Sequence, residues 1–176
     1  MKPSLHFPIH AVLSLGAACA LVGSPEPARA SAPCTEAAAA CTEAVRLTGT
    51  SARLRVFRTH PLEEPNERIE RAVVVVHGLG RNADGYFSYA VEGARLAGAA
   101  ERTLVVAPRF ASSHGKSCRD ALAADEFNWG CSGASAWLRG GIAPGSSIHS
   151  FVAMDEVLQL IVQLMVFPNL KSIVVV

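Results

Sequence analysis

The chain has 176 residues, room for one ordinary domain. Hydrophobic residues make up 50%, charged residues 18%, and mean hydropathy is +0.27, which excludes a disordered polar chain. Lys and Arg number 16 against 15 Asp and Glu, a formal net charge of +1, so no basic excess points to nucleic acid.

The N-terminus reads as an export signal. Lys2 opens a short charged region, Ala11 to Val22 is small and apolar, and Pro25 and Pro27 break the run. Ala28-Arg29-Ala30 then has the A-x-A form of a signal peptidase site. The apolar stretch falls short of the roughly 20 residues that a bilayer-spanning helix needs. No other segment is long and apolar enough, so no membrane span is expected. A lipoprotein signal at Cys19 is disfavoured by Gly16, which stands where an aliphatic residue belongs. Cleavage near Ala30 divides the chain into a signal peptide, 1–30, and one domain, 31–176, in a secreted or periplasmic location.

That cleavage leaves Cys34, Cys41, Cys118 and Cys131. An even number in an exported chain suggests disulfides. Proximity in sequence favours Cys34–Cys41 and Cys118–Cys131 among the three pairings. A zinc site is the competing idea, but no C-x-x-C occurs and the remaining histidines are scattered. No metal and no cofactor are expected.

Residues 31–44 form a short Ala- and Thr-rich lead-in around two cysteines. Leu47, Leu54, Val56 and Phe57, with polar residues between, predict one or two half-exposed strands between Val45 and Thr59. Pro61 to Glu70 is charged, carries two prolines and reads as a surface loop. Ala72-Val73-Val74-Val75-Val76 is a continuous β-branched run, the mark of a strand covered on both faces. It delivers His77-Gly78-Leu79-Gly80 to a predicted helix capped at Asn82 or Asp84, running through Tyr86, Tyr89, Ala90, Ala94 and Leu96 and ending near Gly98. Leu104-Val105-Val106-Ala107 is a second buried strand, stopped by Pro108.

Arg109 to Ser147 is long and irregular and carries Cys118, Cys131, Trp129 and Trp137. Such a stretch in a compact domain is functional or disordered, and a Cys118–Cys131 bridge argues for order. Trp129 and Trp137 are candidates either to line a cleft or to anchor this loop. Phe151, Met154, Leu158, Ile161 and Met165 then predict an amphipathic helix, ended by Pro168 and Asn169. Ser172-Ile173-Val174-Val175-Val176 is a third buried strand. Strands alternating with helices predict an α/β fold with a mostly parallel sheet and flanking helices.

A buried strand feeding His77-Gly78-Leu79-Gly80 into a helix leaves backbone N–H groups uncovered, able to hold a developing oxyanion. Here the sequence resembles the α/β-hydrolase superfamily, whose oxyanion loop follows the third strand with an HG-type motif. The likeness extends from about residue 70 to 176. It includes Val73 to Gly80, Val105 to Phe110, Ser150-Phe151, Met154-Asp155 and Phe167-Pro168-Asn169-Leu170, which look like parts of a group of secreted hydrolases. The resemblance implies Ser-His-acid hydrolysis of an ester or related acyl bond in a small-molecule or polymeric substrate. It makes the Leu79 N–H an oxyanion donor, with Gly78 and Gly80 shaping the turn. His77 becomes a structural support of the loop, not the catalytic base.

The family's nucleophile follows its fifth strand in a G-x-S-x-G turn, with the acid and the histidine later. On this resemblance all three fall beyond Val176. Gly130-Cys131-Ser132-Gly133-Ala134 is a near match inside the chain, but Phe127-Asn128-Trp129 before it is too short and polar for a buried strand. His114 and His149 read as loop and helix-end residues, and Asp84, Asp120 and Asp125 as a cap and solvated charges. Asp155 and Glu156 lie early in the last helix, where the dipole favours them. The resemblance also puts the fifth strand mid-sheet beside the third. An end there would leave Ser172 to Val176 as an exposed apolar edge. The expectation is therefore the N-terminal portion of a longer hydrolase, truncated after the fifth strand and inactive alone, with self-association through that edge as the other rescue.

Two rival readings stand beside this one. Gly78-Leu79-Gly80-Arg81-Asn82-Ala83 also fits the G-x-G-x-x-A fingerprint of a Rossmann-like oxidoreductase, with Arg109 placed to accept the 2′-phosphate of NADP. A non-catalytic secreted binding module is the third class.

Overall fold

The computed structural model describes residues 32–114 and 117–176; the expected signal peptide lies outside the described residues. A five-stranded sheet is built from β1 (Thr42–Arg46), β2 (Arg53–Arg58), β3 (Arg71–Val74), β4 (Thr103–Arg109) and β5 (Ser172–Val175), in the order β1-β2-β4-β3-β5. α1 (Ala83–Leu96) joins β3 to β4, and α2 (Ser150–Ile161) precedes β5.

The sheet is mixed, which corrects the expectation of a mostly parallel one. β3 runs parallel to both β4 and β5, but β2 is antiparallel to β1 and to β4. The reason is local. Arg46 to Arg53 is too short a link for anything but a hairpin, and only β3, β4 and β5 are linked through helices, as parallel neighbours require.

β4 is buried along Thr103–Pro108 and its side chains alternate between two cores. Leu104 and Val106 join Ala72, Val74, Leu54 and Val56 against Ala153, Val157 and Ile161 of α2. Val105 and Ala107 join Val75 against Phe87 and Val91 of α1. The two helices thus cover opposite faces, and the period of two along one strand builds both layers.

Pro108 does not stop β4; the strand continues to Arg109 and pairs with β2 at Val56. The Val75 N–H bonds the Val106 carbonyl. Alternation therefore turns the Pro108 nitrogen to the same side, beyond the last paired residue of β3, where no ladder bond is lost.

α1 buries Ala83, Phe87 and Val91, with Asp84 in its first turn and Arg95 in its last, each complementing the helix dipole. Asn82 occupies the N-cap without a side-chain cap bond, and Gly98 follows the helix with φ 62°. α2 buries Ser150, Ala153, Val157 and Ile161. Of the expected stripe, Ile161 is buried and Met154 and Leu158 pack partly buried against the core, whereas Phe151 and Met165 are exposed and Met165 lies beyond the helix end. Phe151, Val152, Ala153 and Met154 are all apolar, so periodicity alone cannot choose between adjacent stripes. Both expected disulfides, Cys34–Cys41 and Cys118–Cys131, are formed. Among the described residues no helix is long and apolar enough to cross a membrane.

Candidate oxyanion site

The chain leaves β3 toward β4 on one side and returns with β5 on the other. The carboxyl ends of β3 and β5 therefore flank a topological switch point, where open α/β sheets place their ligands. His77-Gly78-Leu79-Gly80-Arg81 sits there. Beyond β5, Val176 stays paired to this end: the Val76 N–H bonds the Val176 carbonyl at 2.7 Å, and the Val176 N–H bonds the Val74 carbonyl at 2.9 Å.

His77 holds the loop from below. The residue is only 2% exposed. Nε2 accepts from the Phe110 N–H at 2.9 Å, which fixes the proton on Nδ1, and Nδ1 donates to the Gly78 carbonyl at 2.9 Å. Both nitrogens are satisfied by a neutral imidazole. Burial lowers the His77 pKa and outweighs the opposing Gly78 carbonyl. A ring locked this way braces the loop, with both nitrogens engaged.

Arg81 holds the loop from the far side. Its φ of 56° makes it the one non-glycine residue in the left-handed region among those described. Its N–H bonds the Gly78 carbonyl at 3.1 Å and its Nη1 bonds the Leu79 carbonyl at 3.0 Å. The same guanidinium reaches Asp120, with Nε to Oδ2 at 2.6 Å and Nη2 to Oδ1 at 3.5 Å. Asp120 Oδ2 also accepts from the Ser112 N–H at 2.8 Å. Burial opposes ionisation of Asp120, but Arg81 and the Ser112 N–H prevail and hold its pKa below the ordinary value.

The outcome is an asymmetric loop. The carbonyls of Gly78 and Leu79 are both engaged, whereas among the described residues the N–H groups of Gly78, Leu79 and Gly80 meet no acceptor. Leu79 itself is 74% exposed. Free N–H groups next to engaged carbonyls are the donors that an anion can use.

Trp137 and Phe110 flank this loop. Trp137 stacks on Phe110 at 4.9 Å and meets the His77 ring edge-on at 4.7 Å. Trp129, the other residue offered for a cleft, is fully buried between Phe110 and Phe127. It anchors the long loop in the core and lines no open surface. The Cys118–Cys131 bridge closes that loop two residues before Asp120.

Ser132 and Ser135 are exposed and line, with His114, an open depression of about 600 Å³. Among the described residues no histidine is hydrogen-bonded to Ser132; the Ser135 hydroxyl reaches its carbonyl instead. Asp120, read as a solvated charge, is the half-buried partner of Arg81. Asp125 is a surface partner of Arg53 and Arg55. Arg109 is committed to Glu126 at 2.5 Å and to the Ala121 carbonyl at 2.8 Å, which leaves its fork engaged. No cluster of His, Cys, Asp and Glu among the described residues has a metal-binding arrangement.

Sequence reasoning missed the Arg81–Asp120 pair. The one available signal was position, since a non-glycine residue following H-G-L-G had to make the turn into α1. Comparison with known proteins adds no assignment: no family model, curated protein or solved structure matches the chain.

Proposed function

We propose that this chain carries the oxyanion-binding half of an exported α/β-hydrolase-like enzyme acting on an ester or related acyl bond. One observation carries the reading: at the switch point between β3 and β5, the loop leaves the N–H groups of Gly78, Leu79 and Gly80 open while the Gly78 and Leu79 carbonyls are tied back. A carbonyl oxygen that gains negative charge during acyl transfer is the ligand such a loop favours, because fixed dipoles need no reorganisation as the charge develops. The position of β5 beside β3 and the two disulfides are consistent with the fold and export that the resemblance implies. The substrate carbonyl would sit at the Leu79 N–H. A serine hydroxyl would attack its carbon from the end of β5, and a histidine would carry the proton to the leaving group. The resemblance assigns the last two roles to none of these 176 residues.

Titration of the ¹⁵N-labelled chain with methylphosphonate, a tetrahedral anion, tests the reading. The expected result is saturable shifts at the Leu79 and Gly80 amides, with no hydrolysis of p-nitrophenyl acetate. A p-nitrophenol burst abolished by a serine-directed inhibitor would place the nucleophile within this chain and overturn the division of roles. The G-x-G-x-x-A spacing keeps a dinucleotide reading testable in the same spectra. NADP is expected to leave them unchanged, since Arg109 is already engaged by Glu126.

A further inference from the structure

We propose that Arg81 and Asp120 are a positioning pair that sets the donor geometry of the Gly78–Gly80 loop and makes anion capture there depend on the disulfide-bridged loop.

A left-handed arginine costs on the order of 1 kcal/mol or more and persists only where surrounding contacts dictate it. Arg81 has those contacts. Its main chain and side chain together hold the carbonyls of Gly78 and Leu79, and its fork is clamped by Asp120. Asp120 is itself fixed twice to Ser112, through Oδ2 and through its own N–H at 3.0 Å. Ser112 lies two residues after Phe110, whose N–H holds His77. Cys118, two residues before Asp120, is buried and bridged to Cys131. The pair is therefore the link through which the bridged loop fixes the orientation of the Leu79 peptide. The side chains are 15% and 21% exposed, so the ion pair is shielded enough to hold its geometry.

This inference rests on the oxyanion reading of the loop, and charge gives a test that separates the two. If Asp120 acted only through its charge, removing it would strengthen anion binding, because a nearby negative charge repels the ligand. If it positions Arg81, removing it weakens binding. The Asp120→Asn chain, titrated with methylphosphonate and followed at the Leu79 and Gly80 amides, is expected to bind about tenfold more weakly than wild type. Arg81→Lys keeps the charge and loses the fork, and is expected to weaken binding similarly; it carries the test if Asp120→Asn does not fold. Arg119→Ala, which removes an exposed charge of the same loop, is expected to change little. Equal or tighter binding by Asp120→Asn, or by Arg81→Lys where it is used, with wild type responding, overturns the pair alone. Silence of the wild-type Leu79 and Gly80 amides removes the oxyanion reading and the pair with it.

Discussion

The Nε2 atom of His77 accepts a hydrogen bond from the Phe110 N–H at 2.9 Å, so one imidazole ties the exit of β3 to the exit of β4. The same ring donates to Gly78. His77→Ala strands a buried N–H and opens a cavity beside Trp137 and Phe110. The expected loss is about 2–4 kcal/mol, read as a lower urea midpoint. His77→Gln keeps one donor and one acceptor and is expected to recover part of it. Wild-type stability in His77→Ala would remove the brace from the account.

Acid is expected to weaken the fold well before the carboxylates titrate. Burial lowers the His60 pKa to about 4, with Glu101 opposing and Arg68 and Arg58 reinforcing. His77 shifts in the same direction. Both are neutral when folded, whereas the unfolded chain binds protons near the ordinary histidine value. Stability is therefore complete above about pH 6.5 and declines as pH falls, by at most about 1.4 kcal/mol per unit for each histidine. For His60 the decline runs down to about 4. The depressed Asp120 adds stability above its ordinary value, lost only at still lower pH. Urea midpoints between about pH 7.5 and 5 should fall, and His60→Phe should flatten the curve; a level profile contradicts the assignment.

Glu126 is buried, with 3% of its side chain exposed, and Arg109 is its counter-ion. Arg109→Met leaves a carboxylate in the interior and is expected to cost about 3–5 kcal/mol. The double change Arg109→Met with Glu126→Leu is expected to restore most of that, since both desolvation penalties disappear together. Equilibrium unfolding of the four chains closes the cycle. Additive losses would show that the pair does not couple.

Two glycines are expected to respond with opposite signs. A Cβ at Gly130 would run into the Ser135 hydroxyl and carbonyl, so Gly130→Ala should cost about 2–3 kcal/mol. Gly93 lies within α1 with nothing near the position of a Cβ, and Gly93→Ala should add about 0.5–1 kcal/mol. Thermal unfolding of both variants checks the packing directly.

The two long helices and strands β3 and β4 were legible because burial writes itself into runs such as Ala72 to Val76; Ser172 to Val176 has the same β-branched run but is not the buried strand expected, since β5 lies at the sheet edge with Val174, Val175 and Val176 exposed. The disulfide pairing was legible from spacing. β2 was legible in outline, because Arg53, Leu54, Arg55 and Val56 alternate as its half-exposed burial does; its antiparallel pairing with β1 and β4 was not. Pro108 misled because a missing N–H matters only where a neighbour awaits it. In the site, the motif His77 to Gly80 was visible as a local string. Asp120 was not, since 39 residues separate it from Arg81 and only the fold joins them. Glu126 and His60 were missed for a related reason: nothing local distinguishes a buried ionisable residue from an exposed one.

Trp137 stacks on Phe110 and Trp129 meets the same ring edge-on, but the two do not share an environment. One indole is sealed in the interior; the other is half-buried against His77 and receives at its carbonyl the hydroxyl hydrogen bond of Ser150, the first residue of α2. The molecule thus holds two tryptophan fluorophores of different hydration, and only the wetter one adjoins the His77–Gly80 turn. Emission on the red side of the spectrum should track events at that turn, without any attached dye.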